Sequence, residues 1–547
     1  MTNKKERLFQ LITLHKNVIL FVMAFTYFFV TTCFLLMNAS IWLDEAVEYY
    51  MALPTRKIPE IVMNAGRWTT EWSNYYQRCL DTFQPPLYTF FIAGWLSVFD
   101  SELWFRLSGV FLGFIGSLGI WCIVKKAEGA GWASIAVIVY SFFRAVTRYN
   151  QECAEYSLMM AMLSWTLYFY FISMEAPNYK HYLLFITMGI LAIYSQYGAA
   201  FPVFCLSCTL LVQQLCKKNW KAFFKGFISF SAAFFITIVP LCIFFLRRQL
   251  ALNTQISGQG VEALFNKNIF LNIIINIKEV FSWILFQNHV TDGIIYGSAI
   301  FLVLLFIMIV ILLVQRNSMY YWYFLSVVST WILYNIIVSI GIYARGQLRA
   351  RYSLFFAPLV IVFVILTIAE ISKQAKKTIE RANIIKVMPL KISSQILTVA
   401  LMLILFFPFL NILVSENFDC LFKGRDYDIH GNDRALVSSF YCLQGYESKL
   451  YLERNSTFAF YYYLQHDKRF SEISELDVEQ LYVNQLVETV QRDYPEQFYF
   501  AFSHGASSNK DKIENAITAI EAIGYKATEY LSEYNAVLLY FEYCDDY

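Results

Sequence analysis

Long apolar runs restrict the fold of this chain more than any other feature of its sequence. A helix needs roughly 20 apolar residues to cross a hydrocarbon core about 30 Å thick. Eleven runs meet or approach that length, from about 17 to 38, 103 to 124, 131 to 149, 156 to 174, 181 to 197, 198 to 215, 226 to 246, 294 to 314, 319 to 343, 351 to 371 and 394 to 414. Only 15% of the residues are charged, against about 25% in a soluble domain. The sequence therefore predicts an α-helical polytopic membrane protein.

The basic residues of the short loops predict the orientation of these helices. Lys and Arg favour the cytoplasmic side of a membrane. With the N-terminus inside, that side receives the basic clusters at 4–16, 125–126, 217–225 and 373–391. The loops 39–102 and 247–293 then lie outside. Two shorter stretches, Pro86 to Phe99 and Ile269 to Phe286, are predicted to be interfacial helices, because a further crossing would place later basic clusters outside.

A sharp change in composition divides the chain near residue 415. Residues 1–415 form the predicted membrane domain, in which 39–102 is the first outer loop. From 416 to 547, charges, Gly and short apolar runs predict an extracytoplasmic α/β domain. Its predicted strands are Lys449 to Glu453, Gln497 to Phe502 and Ala536 to Phe541, and its predicted helices are Ser456 to Gln465, Asp477 to Arg492 and Lys510 to Ile523.

A second set of charges lies at the outer ends of the predicted helices. The set consists of Asp44, Glu45, Arg106, Arg144, Arg148, Glu152, Glu155, Arg345, Arg349 and Arg351. Any one of them could be a snorkelling side chain or half of an interfacial ion pair. Three Arg within the seven residues 345–351 are harder to explain in that way. Guanidinium groups stay charged at membrane depth and bind phosphate bidentately, so this cluster predicts binding of a lipid phosphate.

Asp44 and Glu45 follow the first apolar run directly, where acidic groups are costly unless they are paired or used. A carboxylate that faces an Arg cluster has the elements of a group transfer. Asp44 would deprotonate an acceptor hydroxyl while Arg side chains stabilise the charge that grows on a phosphate leaving group. The alternative is that Asp44 only pairs with Arg106 or Arg67.

Five short motifs stand in order at the outer ends of the predicted helices. They are Ile41-Trp-Leu-Asp-Glu-Ala46, Gln84-Pro-Pro-Leu-Tyr88, Asp100-Ser-Glu-Leu-Trp-Phe-Arg-Leu-Ser108, Tyr149-Asn-Gln-Glu-Cys-Ala-Glu-Tyr156 and Arg351-Tyr352. In this order and spacing, over roughly residues 15 to 372, they resemble the landmarks of the GT-C glycosyltransferases. The resemblance is closer to the bacterial branch related to protein O-mannosyltransferases and to the aminoarabinose transferase of lipid A.

The resemblance implies an integral-membrane inverting glycosyltransferase that takes a sugar from a polyprenyl-phosphate carrier and acts on the extracytoplasmic side. Asp44 matches the family's acidic residue in the first outer loop, which is its proposed catalytic base. The other partners implied are membrane lipids and a glycan, lipid or protein acceptor. The C-terminal domain would help to recognise the acceptor or, alternatively, only stabilise the outer loops.

The charged residues at the outer ends and the resemblance together lead to further predicted roles. Glu45 and Glu152 would orient the substrate, or hold a divalent cation if one is used. The carrier phosphate would be held by Arg345, Arg349 and Arg351, with Arg106 as a further candidate.

Three positions depart from the family pattern. Gln84 and the segment Tyr194-Ser-Gln-Tyr197 stand where the family commonly has His, and Ala154 stands where it has Arg. Glutamine can hydrogen-bond a sugar hydroxyl, but it does not titrate near pH 7 and is a poor metal ligand. Gln84 is therefore predicted to bind substrate, while the donor sugar and any metal site stay open. The six His residues form no ligand-spaced cluster, so no structural zinc site is predicted.

Two alternatives to a monosaccharide transferase remain. A transporter or flippase of lipid-linked sugar would also need Arg for phosphate, but transporters place ionisable groups near the bilayer midplane, and the predicted helix centres here carry almost no charge. A lipid-linked oligosaccharide polymerase or ligase would differ only in its donor, a whole glycan. Nucleic acid is excluded as a partner, because 43 Lys and Arg nearly balance 41 Asp and Glu and leave a net charge of +2.

Overall fold

The chain divides into two compact units. The computed structural model describes residues 2–34, 36–37, 40–65, 75–81, 84–249, 280, 284, 306, 318–339, 350–381, 432–443, 448–466, 476–503, 509–533 and 535–544. The helical unit is made up of Met1–Phe34, Phe83–Tyr88 and Leu107–Asp419. The sheet unit is made up of Leu35–Thr82, Thr89–Arg106 and Cys420–Tyr547. The sheet unit thus combines most of the predicted first outer loop with the C-terminal segment.

Helices account for most of the described chain. In chain order they are α1 (Thr2–Cys33), α2 (Leu43–Ala52), α3 (Glu60–Ala65), α4 (Tyr75–Asp81), α5 (Leu87–Leu96), α6 (Glu102–Glu128), α7 (Ala130–Phe142), α8 (Arg144–Gln151), α9 (Glu155–Glu175), α10 (Tyr179–Ser195), α11 (Ala200–Cys216), α12 (Trp220–Ala233), α13 (Val239–Leu241), α14 (Met319–Ser339), α15 (Phe356–Arg381), α16 (Asp433–Cys442), α17 (Thr457–His466), α18 (Leu486–Asp493) and α19 (Lys510–Glu521). Two π-helical turns, Phe234–Ile238 and Cys242–Leu246, continue α12 and α13.

Seven helical stretches among the described residues are long and apolar enough to cross a membrane. They are His15–Cys33, Glu102–Glu128, Glu155–Glu175, Tyr197–Cys216, Trp220–Gln249, Met319–Ser339 and Phe356–Gln374. The bent pair α7 and α8 would make an eighth. The predicted run from 181 to 197 forms α10, which has 17 residues, and the runs 294–314 and 394–414 lie outside the described residues. The prediction of a polytopic helical membrane protein is confirmed.

The predicted single helix over 131–149 is wrong in one respect. The chain breaks at Phe143 into α7 and α8, which are bent by 75° relative to each other. The break coincides with a change from apolar residues in α7 to polar residues in α8, whose side chains are costly to hold in hydrocarbon. The hydroxyl of Thr147 donates to the carbonyl oxygen of Ser141 at 2.7 Å, which satisfies a backbone acceptor at the break.

Glycines in α6 allow it to approach its neighbours closely. A Cβ on Gly109 would lie 2.7 Å from the carbonyl oxygen of Asn150, which is shorter than a real contact. A Cβ on Gly116 would lie 3.3 Å from Cα of Ala161 in α9. Small residues have this use in membrane helices, where packing replaces the hydrophobic effect. Gly109 therefore brings α6 against the corner between α8 and α9.

A five-stranded sheet forms the core of the sheet unit. Its strands are β1 (Lys449–Glu453), β2 (Val478–Leu481), β3 (Gln497–Phe502), β4 (Tyr525–Glu533) and β5 (Ala536–Tyr543). They lie in the order β2-β1-β3-β5-β4, in which β1 is parallel to β2 and β3, and β5 is antiparallel to β3 and β4. Buried aromatic rings fill one face, where Phe498 stacks on Phe541 with centroids 4.7 Å apart. The prediction of a small α/β layer at the C-terminus is confirmed.

The predicted elements of this layer are confirmed except for one helix. Strands over 449–453, 497–502 and 536–541 and helices over 456–465 and 510–523 are found with ends shifted by at most a few residues. The helix predicted over Asp477 to Arg492 is wrong in its first part. Residues 478–481 pair in parallel with β1 as strand β2, and α18 begins only at Leu486. A local pattern does not contain the strand partner, and pairing decides the conformation here.

The sheet binds the short helix α3 of the first loop within the same unit. The side-chain amide of Gln480 in β2 donates to the carbonyl oxygen of Ile61 at 2.5 Å. The guanidinium of Arg454 donates to the carbonyl oxygens of Asn64 and Ala65, each at 3.1 Å. The first loop therefore has defined hydrogen bonds to the C-terminal segment.

Candidate functional site

Asp44 and Glu45 lie in the first turn of α2. Carboxylates are favoured there, because the unpaired backbone N–H groups give a helix N-terminus a partial positive charge. The carboxylate of Glu45 also turns back and accepts a hydrogen bond from the backbone N–H of Trp42 at 3.3 Å, as in a capping box. Asp44 is half-buried, whereas Glu45 is fully buried.

Glu48 is a third carboxylate on the same short helix, and no role was predicted for it. It is buried and accepts a hydrogen bond from the hydroxyl of Thr89 at 3.2 Å. Glu48 lies three residues after Glu45 and four residues after Asp44, so the three side chains occupy neighbouring positions on the helix surface. That spacing is the sequence signal that could have identified it.

Glu45 belongs to an ionic cluster that extends from buried side chains of the first loop and α6 to the partly exposed Arg434 of the C-terminal segment. Nη1 of Arg106 lies 3.6 Å from Oε1 of Glu45, and Nε of Arg106 lies 3.1 Å from Oε1 of Glu102. Nη2 of Arg434 lies 2.7 Å from the same Glu102 oxygen, to which the hydroxyl of Tyr463 donates at 3.2 Å. Two carboxylates and two guanidinium groups balance in charge, so the buried charges are compensated.

Arg106 was predicted as a phosphate ligand and as an alternative partner of Asp44. The structure gives it Glu45 and Glu102 as ion-pair partners. Its side chain is completely buried within the sheet unit. Arg434 and Tyr463 were not identified from the sequence. They lie 332 and 361 positions after Glu102, and contacts over such separations leave no local sequence signal.

Glu152 lies at the corner between α8 and α9 in the helical unit. It is fully buried, and its Oε1 accepts from Nε of Arg148 at 2.5 Å. Glu155 begins α9 and is also buried. Burial of carboxylates at membrane depth is costly unless they are paired. Arg148 is the ion-pair partner of Glu152. The corner is held against α6 by the close approach at Gly109.

Arg351 lies in the 3-10 turn Ala350–Ser353 that precedes α15. It is half-buried, and its guanidinium carbon lies 5.6 Å from the centre of the Tyr352 ring. It also interacts electrostatically with the buried Tyr156 at the start of α9. The structure thus brings Arg351 near the α9 start. Arg345 and Arg349 lie outside the described residues.

Gln84 is held through a chain of hydrogen bonds in the helical unit. Its carbonyl oxygen accepts from Nε2 of the buried Gln249 at 2.8 Å. Oε1 of Gln249 in turn accepts from the hydroxyl of Tyr197 at 2.7 Å. Tyr194, at the other end of the same motif, donates to the carbonyl oxygen of Thr237 in the first π-helical turn at 2.8 Å. The two motifs that lack the family's His are therefore joined through Gln249.

The predicted site residues fall into two groups by unit. Asp44, Glu45 and Arg106 lie together in the sheet unit, and Glu152, Arg351 and Gln84 lie in the helical unit. Over the described ranges, no group of three or more His, Cys, Asp or Glu side chains is arranged to hold a metal ion.

Comparison with known proteins agrees with the motif resemblance. Residues 83–244 match the family model described as dolichyl-phosphate-mannose-protein mannosyltransferase. The fold is similar to that of ArnT from Cupriavidus metallidurans in the apo state, with a TM-score of 0.51 and 12% identity over 96% of this chain and 97% of ArnT. No curated protein sequence matches the chain.

Two further structures align over most of the chain. ArnT from Cupriavidus metallidurans bound to undecaprenyl phosphate gives a TM-score of 0.49 at 12% identity, over 96% of this chain and 97% of ArnT. The archaeal oligosaccharyltransferase AglB from Archaeoglobus fulgidus, in complex with an inhibitory peptide and a dolichol-phosphate, gives 0.44 at 10% identity, over 97% of this chain and 74% of AglB. The apo ArnT match shows the fold, which is the GT-C fold that the motif resemblance predicted.

Proposed function

We propose that the protein is an inverting glycosyltransferase that moves a sugar from a polyprenyl-phosphate donor to an acceptor on the extracytoplasmic side of the membrane. The observation that carries the proposal is the difference in burial among the α2 carboxylates. Glu45 and Glu48 are buried, whereas Asp44 alone of the three is partly exposed. A general base must be able to reach the proton that it removes. Asp44 meets that requirement.

The reaction would proceed in one displacement. Asp44 accepts the proton of the acceptor hydroxyl as its oxygen forms a bond to the anomeric carbon of the sugar. The bond from that carbon to the phosphate oxygen breaks on the opposite face, and polyprenyl phosphate leaves with the electron pair. Arg351 would neutralise the leaving phosphate, together with Arg345 and Arg349. Guanidinium groups suit this role, because they stay charged and bind two phosphate oxygens at once.

The remaining site residues would orient the substrates. Glu45, paired with Arg106, holds the start of α2, and Glu152, paired with Arg148, is a charged group of the α8–α9 corner. The side chain of Gln84 would hydrogen-bond a sugar hydroxyl. Support for a lipid-phosphate donor comes from the family matched over residues 83–244, whose description names dolichyl-phosphate-mannose.

The experiment measures label transfer from a panel of polyprenyl-phosphate monosaccharides by the purified protein in detergent. Asp44→Asn should lower turnover by about 10²–10⁴-fold, the usual contribution of a general base. Its unfolding temperature should stay close to that of the wild type, because Asn replaces a half-buried side chain of the same shape. The matched control is Glu60→Gln, which removes an exposed carboxylate from α3 in the same unit and should leave transfer unchanged.

Other outcomes would identify other functions. Normal transfer by Asp44→Asn would remove Asp44 as the base. Transfer from lipid-linked oligosaccharides alone would identify a polymerase or ligase. Movement of lipid-linked sugar across reconstituted liposomes, without transfer from any donor, would identify a flippase. Loss of transfer with EDTA and its recovery with Mg²⁺ or Mn²⁺ would assign a divalent cation to the acidic residues.

A further inference from the structure

We propose that Arg434 and Tyr463, in the C-terminal segment, are positioning residues for the acidic helix α2 and act through Glu102 and Arg106. This inference rests on the proposed transferase function of Asp44 and adds a second requirement to it. The C-terminal segment would then hold the helix that carries Asp44 in position, in addition to any contact with an acceptor.

The first route reaches a side chain of α2 indirectly, through Glu102 and Arg106. One oxygen of Glu102 accepts from Arg434 at 2.7 Å, from Arg106 at 3.1 Å and from Tyr463 at 3.2 Å. Arg106 extends from this oxygen to Glu45 in the first turn of α2. Both Arg106 and Glu45 have no exposed surface, so little water is present to weaken their attraction.

The second contact is made with the backbone that leads into α2. Nη1 of Arg434 donates to the carbonyl oxygen of Met37 at 2.9 Å, and its backbone N–H donates to the hydroxyl of Ser40 at 3.3 Å. The backbone N–H of Ile41 donates to the hydroxyl of Tyr463 at 2.6 Å. The two residues therefore hold both the approach to α2 and, through Arg106, the carboxylate next to Asp44.

The charge balance explains why loss of Arg434 would reach Glu45. The cluster contains two carboxylates, Glu45 and Glu102, and two guanidinium groups, Arg106 and Arg434. Without Arg434, Arg106 is the guanidinium group that remains in contact with both carboxylates. Its 3.6 Å contact with Glu45 is the longer of its two ion pairs and would loosen first. A displacement of about 1 Å at a catalytic group can cost about 10²-fold in rate.

The test compares Arg434→Met and Tyr463→Phe with Arg492→Met, which removes an exposed guanidinium from the same unit. Arg434→Met should lower kcat by about 10- to 100-fold, with the donor KM changed by less than about twofold, because the donor phosphate is bound elsewhere. Tyr463→Phe should lower kcat less, and Arg434→Lys, which keeps the charge, should recover part of the loss. Arg492→Met should leave both constants unchanged.

A double-mutant cycle tests the route through Arg106. In a Glu45→Gln background, Arg434→Met should lower kcat by a smaller factor than in the wild type, because only the contacts of Arg434 with Met37 and Ser40 are then left to lose. An equal loss in both backgrounds would overturn the route. If Arg434→Met does not fold, Tyr463→Phe and Arg434→Lys are compared in the wild-type and Glu45→Gln backgrounds instead.

Hydrogen exchange separates this inference from the proposed function. Amides of residues 40–52 should exchange faster in Arg434→Met and Tyr463→Phe than in the wild type and Arg492→Met. Unchanged exchange would overturn the positioning role even if kcat falls. If the wild type transfers no sugar, the proposed function fails, and the exchange rates still decide whether these residues hold α2.

Discussion

At the residue scale, the carboxylates of α2 differ in burial, and we propose different roles for them on that basis. Glu45 is fixed by an ion pair to Arg106 and a hydrogen bond from Trp42, and Glu48 by a hydrogen bond from Thr89. A carboxylate held in this way orients its surroundings and is poorly placed to collect a proton from a substrate. Because Asp44 is partly exposed, we propose it as the base, which is the residue that the motif also indicated.

A histidine contact joins α2 to the C-terminal segment beside the ionic cluster. Oδ1 of Asp100 accepts from the hydroxyl of Tyr49 at 2.8 Å and lies 3.4 Å from Nε2 of His466. Nδ1 of His466 lies 2.7 Å from the carbonyl oxygen of Tyr462, to which it must donate. A neutral His466 would then present a lone pair at Nε2 to the Asp100 carboxylate. Protonation replaces that repulsion with a donated hydrogen bond.

These contacts shift the pKa values of His466 and Asp100 away from their ordinary values. Burial lowers the pKa of His466, but the hydrogen bonds to Asp100 and Tyr462 and the charges of Asp100 and Glu102 outweigh it, so the pKa is raised. The hydrogen bond from His466 lowers the pKa of Asp100, and the hydrogen bond from Tyr49 lowers it further. Burial of Asp100 acts in the opposite direction but is outweighed. The folded sheet unit therefore holds the His466 proton more tightly than the unfolded chain does.

This raised pKa predicts a pH-dependent contribution to stability. The contribution is fully present below the pKa of an unfolded His, about 6.5, and is lost as the pH rises through the higher folded pKa. His466→Gln should therefore lower the unfolding temperature more at a pH of about 5.5 than at about 8.5. Asp100→Asn should remove the same pH-dependent difference. Equal losses at both pH values, measured by thermal unfolding in detergent, would contradict the ion pair.

At the element scale, the approach of α6 to the α8–α9 corner depends on one missing side chain. A Cβ at position 109 would lie 2.7 Å from the carbonyl oxygen of Asn150 and 3.1 Å from that of Glu152. Both obstacles are backbone atoms, which cannot rotate away. Gly109→Ala should therefore lower the free energy of unfolding by about 1–3 kcal/mol, the usual cost of overpacking. Transfer should fall as well, since the corner carries Glu152.

The matched control is Gly131→Ala in α7. No atom lies within 4 Å of the Cβ position at Gly131, and Ala is the better helix former. This variant should keep the stability and the transfer rate of the wild type. Thermal unfolding and transfer assays on both variants check the prediction, which is wrong if Gly109→Ala behaves like Gly131→Ala.

The elements differ in how far local sequence could predict them. Apolar runs and alternating strands contain their own signal, so the seven spans found among the described residues and three of the five strands were predicted within a few residues. The 75° break at Phe143 and strand β2 were missed, because each depends on neighbours that a local window does not contain. The site followed the same division. Asp44 lies in a recognisable motif, whereas Arg434 and Tyr463 can be identified only from their contacts with Glu102 in the folded chain.

At the scale of the whole molecule, the basic clusters determine the expected orientation in the membrane. Lys217 and Lys218 directly follow α11, and Lys125 and Lys126 end α6. Because Lys in short loops favours the cytoplasmic side, both ends should lie there. The α2 carboxylates belong to the sheet unit, which we expect on the opposite side, where a polyprenyl-phosphate donor would be used.

Two exposed free cysteines report on this orientation without any substitution. Cys216 ends α11 next to the Lys pair, and Cys442 ends α16 in the sheet unit. A membrane-impermeant maleimide added to intact cells should label Cys442 and leave Cys216 unlabelled. Both should react after permeabilisation, and mass spectrometry of the digested protein assigns each label. Labelling of Cys216 alone in intact cells would invert the orientation, place Asp44 in the cytoplasm and contradict transfer at the outer face.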